Sequence, residues 1–150
     1  MTPAEPDAAR GGRRRAREVA FRALFEADLS GDDPLEVLEL SLGRFRFTAD
    51  GRRFALRLAE AYGERRQEID RLLAPLLDRW TLARLSTVVR AILRLAVTEL
   101  VVIEETPPRV ILNEAIRLAD RYGEPDAGPF VNGVLDAATR RLRPGALGED

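Results

Sequence analysis

The sequence predicts a compact all-α bundle of six to seven helices, and three observations support this fold class. Apolar residues recur at intervals of three and four positions along most of the chain, which is the spacing of one helix face. No segment shows the apolar–polar alternation bounded by hairpin turns that is typical of strands. The length of 150 residues and the apolar content of 45% suffice for one domain with a buried core.

The first half of the chain is predicted to contain four helical segments. The first covers about 13–29, and Asp33 followed by Pro34, an N-cap with proline at the first helical position, starts a short second helix. A third segment begins near residue 48 and is interrupted at Gly63. A fourth covers about 64–77, where a proline weakens its last turn.

The second half is predicted to form three longer helices. Residues 82–103 are the longest apolar tract, and a helix that is apolar nearly all round is expected to be central and buried. The next helix covers about 107–122 and ends at Gly123, and the last covers about 126–143. Two polar side chains on these apolar faces, Glu99 and Asn113, are expected to be buried and paired.

Both ends of the chain are predicted to be disordered, because 1–12 and 144–150 lack an apolar period. The folded domain is therefore expected to cover 13–143. No segment approaches the roughly 20 apolar residues of a membrane span, and the first twelve residues lack the apolar core of a signal peptide. We expect a soluble cytoplasmic protein without membrane contacts.

The residue types exclude most enzyme chemistry. The chain has no histidine and no cysteine, so triads and metal sites built on them are excluded. Paired carboxylates occur at Asp32-Asp33 and Glu104-Glu105, in predicted helix-connecting turns where solvated capping is their ordinary role. The sequence predicts a binding protein without catalytic residues, metal or cofactor.

Charge is segregated although the net charge is only −1. Residues 10–22 hold six arginines and one glutamate, whereas residues 23–43 hold six acidic residues and no basic one. The arginines Arg13, Arg14, Arg15 and Arg17 fall on the first turn of the predicted first helix, where the helix dipole disfavours cations. A polyanionic ligand is the simplest reason for their placement.

Aromatic residues continue the arginine row on this helix. Arg17, Phe21 and Phe25 follow one another at intervals of four residues, and RNA-binding surfaces combine guanidinium groups for phosphates with flat side chains for unpaired bases. The alternative is that the phenylalanines belong to the core and the arginines form a solvated face. The residues alone favour core for Phe21 and leave Phe25 open.

A second candidate lies at the start of the last helix. Phe130 stands in its first turn, where free backbone N–H groups attract phosphate oxygens, and Asp126 precedes it by one turn. A large aromatic side chain at a helix entrance more often packs onto the core, and the residues alone favour that alternative.

Three segments together resemble the NusB family of transcription antitermination factors. They are Arg13–Glu18, Ile111–Gly123 and Pro129–Asp136, and the resemblance extends over roughly 13–143. It implies an all-helical RNA-binding protein that recognises a boxA-type single-stranded RNA together with the ribosomal protein NusE. It further implies an indirect action on RNA polymerase, through the antitermination complex, that promotes read-through of ribosomal RNA operons.

The resemblance also implies an RNA site, since the family's arginine-rich helix start and several aromatic and acidic positions lie on its RNA-binding face. The matching residues here are Arg13, Arg14, Arg15, Arg17, Phe25, Asp126 and Phe130. One departure from the family pattern is that the helix face at Val88 and Val89 is more apolar than expected.

Two other functions remain possible from the sequence. The same domain serves as the RNA-binding arm of ribosomal RNA methyltransferases, although no cofactor-binding domain follows residue 143. A helical protein-interaction domain, whose arginines meet acidic protein surfaces, is the second.

Overall fold

The computed structural model describes the backbone of residues 4–148 and the side chains of residues 12–148, and it confirms the all-α prediction. The described chain contains α-helices and short 3-10 turns but no strand. The helices are α1 Ala4–Ser30, α2 Pro34–Ser41, α3 Ala49–Leu73, α4 Thr87–Val102, α5 Pro108–Tyr122 and α6 Ala127–Leu142. The 3-10 turns are Leu42–Arg44, Ala74–Leu76 and Leu82–Arg84.

The chain divides into two compact units, Met1–Glu64 and Arg65–Asp150. The boundary falls inside α3, where Arg65 leaves the helical region with φ −114° and ψ 18°. The interruption predicted at Gly63 therefore occurs two residues later, as a kink within α3 rather than as a break between two helices. Glycine's low helix propensity weakens the helix at this point.

In the N-terminal unit α1 packs against α2, and α1 contributes seven of the buried apolar residues described there. Its buried apolar residues are Ala16, Val19, Ala20, Phe21, Ala23, Leu24 and Ala27. The predicted cap of α2 is confirmed, since the Asp33 carboxylate accepts a hydrogen bond from the Glu36 N–H at 3.3 Å and Pro34 occupies the first turn.

Within the predicted disordered arm 1–12, the structure continues α1 towards the N-terminus over Ala4–Gly12. Alanine, glutamate and arginine favour helix, and Pro6 falls in the first turn, where its missing N–H has no helical partner to lose. Residues 1–3 of the predicted arm and residues 149–150 of the predicted tail lie outside the described residues. The described part of that tail, 144–148, forms turns.

In the C-terminal unit α4, α5 and α6 pack on one another, and α4 is the most buried helix as predicted. Its start is Thr87 rather than residue 82, because the Ser86 hydroxyl accepts the Val89 N–H at 3.1 Å as an N-cap. Glu99 is buried as expected, whereas the expectation for Asn113 is wrong, because this residue is exposed on α5.

Two arginines anchor α4, one in the middle of this helix and one directly after α6. Arg94 donates two hydrogen bonds of 3.0 Å to the Asp70 carboxylate, which ties α4 to the last turns of α3. Arg143 donates to the carbonyl oxygens of Leu100, Ile103 and Thr106 at 2.7 to 3.1 Å. It thereby satisfies carbonyl groups that the end of α4 leaves without helical partners.

Candidate nucleic-acid interface

Arg13 is held by an ion pair and an aromatic ring within the N-terminal unit. Its guanidinium donates to both carboxylate oxygens of Asp50, at 2.9 and 3.2 Å, and lies 4.4 Å from the ring centroid of Phe54. The hydrogen bond from Arg13 lowers the pKa of Asp50, partial burial opposes this change, and the charges of Arg13 and Arg53 reinforce it. Arg13 therefore joins α1 to α3 and retains a partly exposed guanidinium.

Arg17 lies beneath the surface, with 6% of the residue exposed. Its guanidinium lies 5.0 Å from the centroid of the Phe54 ring, which Arg13 also contacts. Cation–π stacking on a buried ring stabilises the fold and leaves little of Arg17 for a ligand. The structure thus separates Arg17 from the more exposed arginines of the row.

Arg14 and Arg15 are exposed on α1. The Arg15 guanidinium lies 5.7 Å from the Phe45 ring centroid and donates a long 3.5 Å hydrogen bond to the Arg46 carbonyl oxygen. The dipole argument for these arginines does not hold, because α1 begins at Ala4 and they are well past its first turn. Their exposure and crowding remain as the observations that favour an anionic ligand.

The segment that follows α2 adds residues that the sequence analysis missed. An open groove of about 380 Å³ is lined by Arg15, Arg46, Phe47, Thr48 and Gly12. The rings of Phe45 and Phe47 lie 6.5 Å apart in an edge-to-face arrangement. The alternation of arginine and phenylalanine over 44–47 was the available signal, because it places cations beside flat rings as RNA-binding surfaces do.

The two phenylalanines of α1 have different environments. Phe21 is 2% exposed, so its predicted place in the core is confirmed. Phe25 is half-buried, and its ring centroid lies 6.2 Å from that of Phe21. Phe25 is therefore supported from below by a core ring and retains an accessible part.

Phe130 and Asp126 lie in the C-terminal unit, at the start of α6. Phe130 is half-buried and Asp126 is exposed, and the Asp126 side chain makes no capping hydrogen bond to the helix. Both line a groove of about 230 Å³ together with Trp80, Arg84 and Val89. Neither Trp80 nor Arg84 was singled out from the sequence.

Among the described residues, no group of three or more acidic, histidine or cysteine side chains is placed to hold a metal ion. Within the same part of the chain, no helix is both long and apolar enough to cross a membrane. Each of the two grooves described above is lined by at least one arginine and one aromatic ring.

Comparison with protein families matches this chain to the NusB family over residues 14–140. A transcription antitermination protein NusB from Symbiobacterium thermophilum is 38% identical over 92% of this chain and 95% of its own length. The NusB protein of Acidothermus cellulolyticus is 44% identical over 83% of this chain and 85% of its own length.

Solved structures give the same result. NusB of T. maritima superposes with a TM-score of 0.79 at 36% identity, covering 85% of this chain and 90% of that chain. A crystal structure of antitermination factors NusB and NusE in complex with dsRNA contains a chain with a TM-score of 0.78 and 31% identity, covering 86% of this chain and 96% of that chain.

Proposed function

The chain belongs to the NusB family, and we propose that it is a transcription antitermination factor that binds boxA-type RNA together with the ribosomal protein NusE. It is a non-catalytic binding protein, as the family is. The match to the NusB family over residues 14–140 is the observation that carries this proposal. Bound to RNA and NusE, the factor acts on RNA polymerase so that ribosomal RNA operons are transcribed to their ends, and it does so in the cytoplasm.

The proposed RNA contacts of the N-terminal unit are Arg14, Arg15 and the accessible part of Phe25. The two arginines are exposed, and Arg15 adjoins the rings and cations of 44–47. Arg13 contributes its partly exposed guanidinium, whose orientation is set by Asp50. Arg17 supports this surface from beneath, through Phe54.

The proposed contacts of the C-terminal unit are Asp126 and Phe130. The half-buried ring of Phe130 offers a stacking surface at the start of α6. The carboxylate of Asp126 repels a phosphate. Its proposed role is therefore to accept a hydrogen bond from a base or to keep the RNA phosphate backbone away from this position.

We propose that the chain recognises this RNA as a single strand. The solved relative carries dsRNA, whereas sequence reading requires unpaired bases whose edges are accessible. We therefore expect a single-stranded boxA-type RNA to bind more tightly than the same sequence annealed to its complement.

Transcription in cells tests the function itself. Depleting the chain is expected to lower the ratio of promoter-distal to promoter-proximal ribosomal RNA transcripts, with no change for an operon whose boxA element is scrambled. Restoring the chain restores the ratio. An unchanged ratio after complete depletion would contradict the proposed function.

A further inference from the structure

The segment that joins α3 to α4 is held in one conformation by several polar contacts. Asp78 adopts a left-handed backbone with φ 57°, which turns the chain, and the Trp80 N–H donates to the Leu77 carbonyl oxygen at 2.9 Å. The Arg90 guanidinium donates to the carbonyl oxygens of Leu82 and Leu85 at 2.8 and 2.9 Å. The backbone on both sides of Trp80 is therefore fixed.

This fixed segment presents a large apolar side chain to solvent. Trp80 is 51% exposed, although burying an indole is among the most favourable contributions a side chain makes to a fold. It lines the groove of about 230 Å³ whose other aromatic residue is Phe130. An exposed indole on a well-ordered backbone, facing a groove with a second ring, is the arrangement of a binding site for a flat apolar group.

Charges around the groove indicate which part of a nucleotide it admits. Arg84 is exposed beside the indole and suits a phosphate, whereas Glu124 and Asp126 also line the groove and repel one. The remaining lining residues are Leu85, Ser86, Val89 and Ala127. An uncharged base therefore fits the groove, with its phosphate directed to Arg84.

We propose that this groove binds one unpaired RNA base, stacked on Trp80 and flanked by Phe130, with Arg84 contacting the adjacent phosphate. The inference rests on the proposed function and deepens it, because it assigns Trp80 and Arg84 to RNA recognition. Stacking on an aromatic surface accepts any base, so the groove contributes affinity and fixes the register of the strand.

The chain contains a single tryptophan, so tryptophan emission, excited selectively over the two tyrosines, reports on this groove alone. Titrating the full chain, without NusE, with a boxA-type oligoribonucleotide is expected to quench the Trp80 emission and to protect it from acrylamide. The quenching curve should give the same Kd as the anisotropy of a labelled RNA. RNA binding with unchanged tryptophan emission would overturn the inference.

Substitutions distinguish base stacking on Trp80 from the general effect of removing an exposed apolar side chain. Trp80→Ala is expected to weaken RNA binding by about 5- to 150-fold, the loss that one base stack represents, whereas Trp80→Phe keeps most of the affinity. Leu40→Ala is the matched control, because Leu40 on α2 is 80% exposed and lines neither of the grooves described above. Circular dichroism melts of each variant verify that it is folded.

The outcomes distinguish this inference from the proposed function. If the unsubstituted chain fails to bind boxA-type RNA even with NusE, the proposed function fails. If it binds and Trp80→Ala binds equally well, only the groove assignment fails. Quenching by a tryptophan-free variant of NusE in the absence of RNA, with no response to RNA, would make the groove a protein-docking site and overturn the proposed base stacking.

Discussion

At the residue scale, four arginines that adjoin one another in sequence have different structural roles. Arg13 and Arg17 contact the Phe54 ring, and Arg13 also pairs with Asp50, so both stabilise the packing of α1 on α3. Arg14 and Arg15 are exposed. Substitutions in this row are therefore expected to affect either RNA binding or stability, depending on the position.

Replacing Arg14 and Arg15 together by glutamine is expected to weaken RNA binding with almost no change in Tm. If each guanidinium contacts one phosphate of a single strand, the slope of log affinity against log salt flattens by roughly 0.7 for each lost contact. Arg109→Gln, which removes an exposed arginine from α5, is the control for a general loss of charge. An unchanged slope in the double variant would exclude phosphate contacts at these positions.

Arg17→Ala is expected to destabilise the fold by about 1 to 3 kcal/mol, because the groups paired with the buried guanidinium lose their partner and the Phe54 ring loses its cover. Urea denaturation at neutral pH measures this loss. Arg17→Lys should recover only part of it, since a compact ammonium does not stack on the ring as a guanidinium does. Full stability of Arg17→Ala would show that the buried contact contributes nothing.

Asp50 is expected to make the fold sensitive to acid. The pKa of Asp50 is lowered in the folded protein. The ionised carboxylate therefore stabilises the fold above the pKa that Asp50 has in the unfolded chain, and this stabilisation is lost as the pH falls below about 4. Because 39% of the side chain is exposed, solvent screening limits this contribution to less than about 1 kcal/mol. Comparing the free energy of unfolding of wild type and Asp50→Asn at pH 7 and pH 3 tests it, and the two proteins should differ less at pH 3.

At the element scale, most helix boundaries could be predicted from local sequence signals. Capping and helix-ending residues affect only the backbone within a few positions. The N-cap of α2 at Asp33 and Pro34 and the end of α5 at Gly123 were therefore predictable. The start of α1 was not, because a short alanine- and arginine-rich stretch has helix propensity without an apolar period. The start of α4 was missed because the apolar period continues through a 3-10 turn.

The crossing of α1 and α3 depends on two glycines. A Cβ on Gly51 would lie 2.7 Å from the Gly12 carbonyl oxygen, and a Cβ on Gly12 would meet the Thr48 side chain. Gly51→Ala is therefore expected to cost about 1 to 3 kcal/mol through forced separation of the helices, although alanine favours helix over glycine. Gly133→Ala on α6, where a Cβ meets no atom within 4 Å, is the control and should be neutral or stabilising. Equal stability of the two variants would contradict a close helix approach.

At the scale of the whole molecule, the fold class followed from periodicity, whereas the candidate interface was predictable only in part. The arginine row of α1 and Phe25 share one helix, so their spacing revealed them. Asp50 and Phe54 act on Arg13 from another helix, and such contacts leave no signal in a single sequence. The exposure of Trp80 was likewise unpredictable, because a tryptophan in an apolar sequence is ordinarily buried.

Segregated charge on a nearly neutral chain indicates that RNA affinity comes from a local surface rather than from the overall field. Such a protein is expected to bind weakly alone and to depend on a partner for further contacts. It is also expected to discriminate between RNA sequences. With few phosphate contacts, the contacts to bases supply a large share of the affinity.

The most direct test is the affinity of the chain for a boxA-type RNA and for a scrambled RNA of equal length and composition, each with and without NusE. Fluorescence anisotropy at a fixed salt concentration measures all four values. We expect weak binding to boxA by the chain alone, at least tenfold tighter binding with NusE, a gain of about 1.4 kcal/mol, and no comparable gain for the scrambled RNA. Equal affinity for both RNAs in the presence of NusE would contradict sequence-specific RNA recognition by this protein.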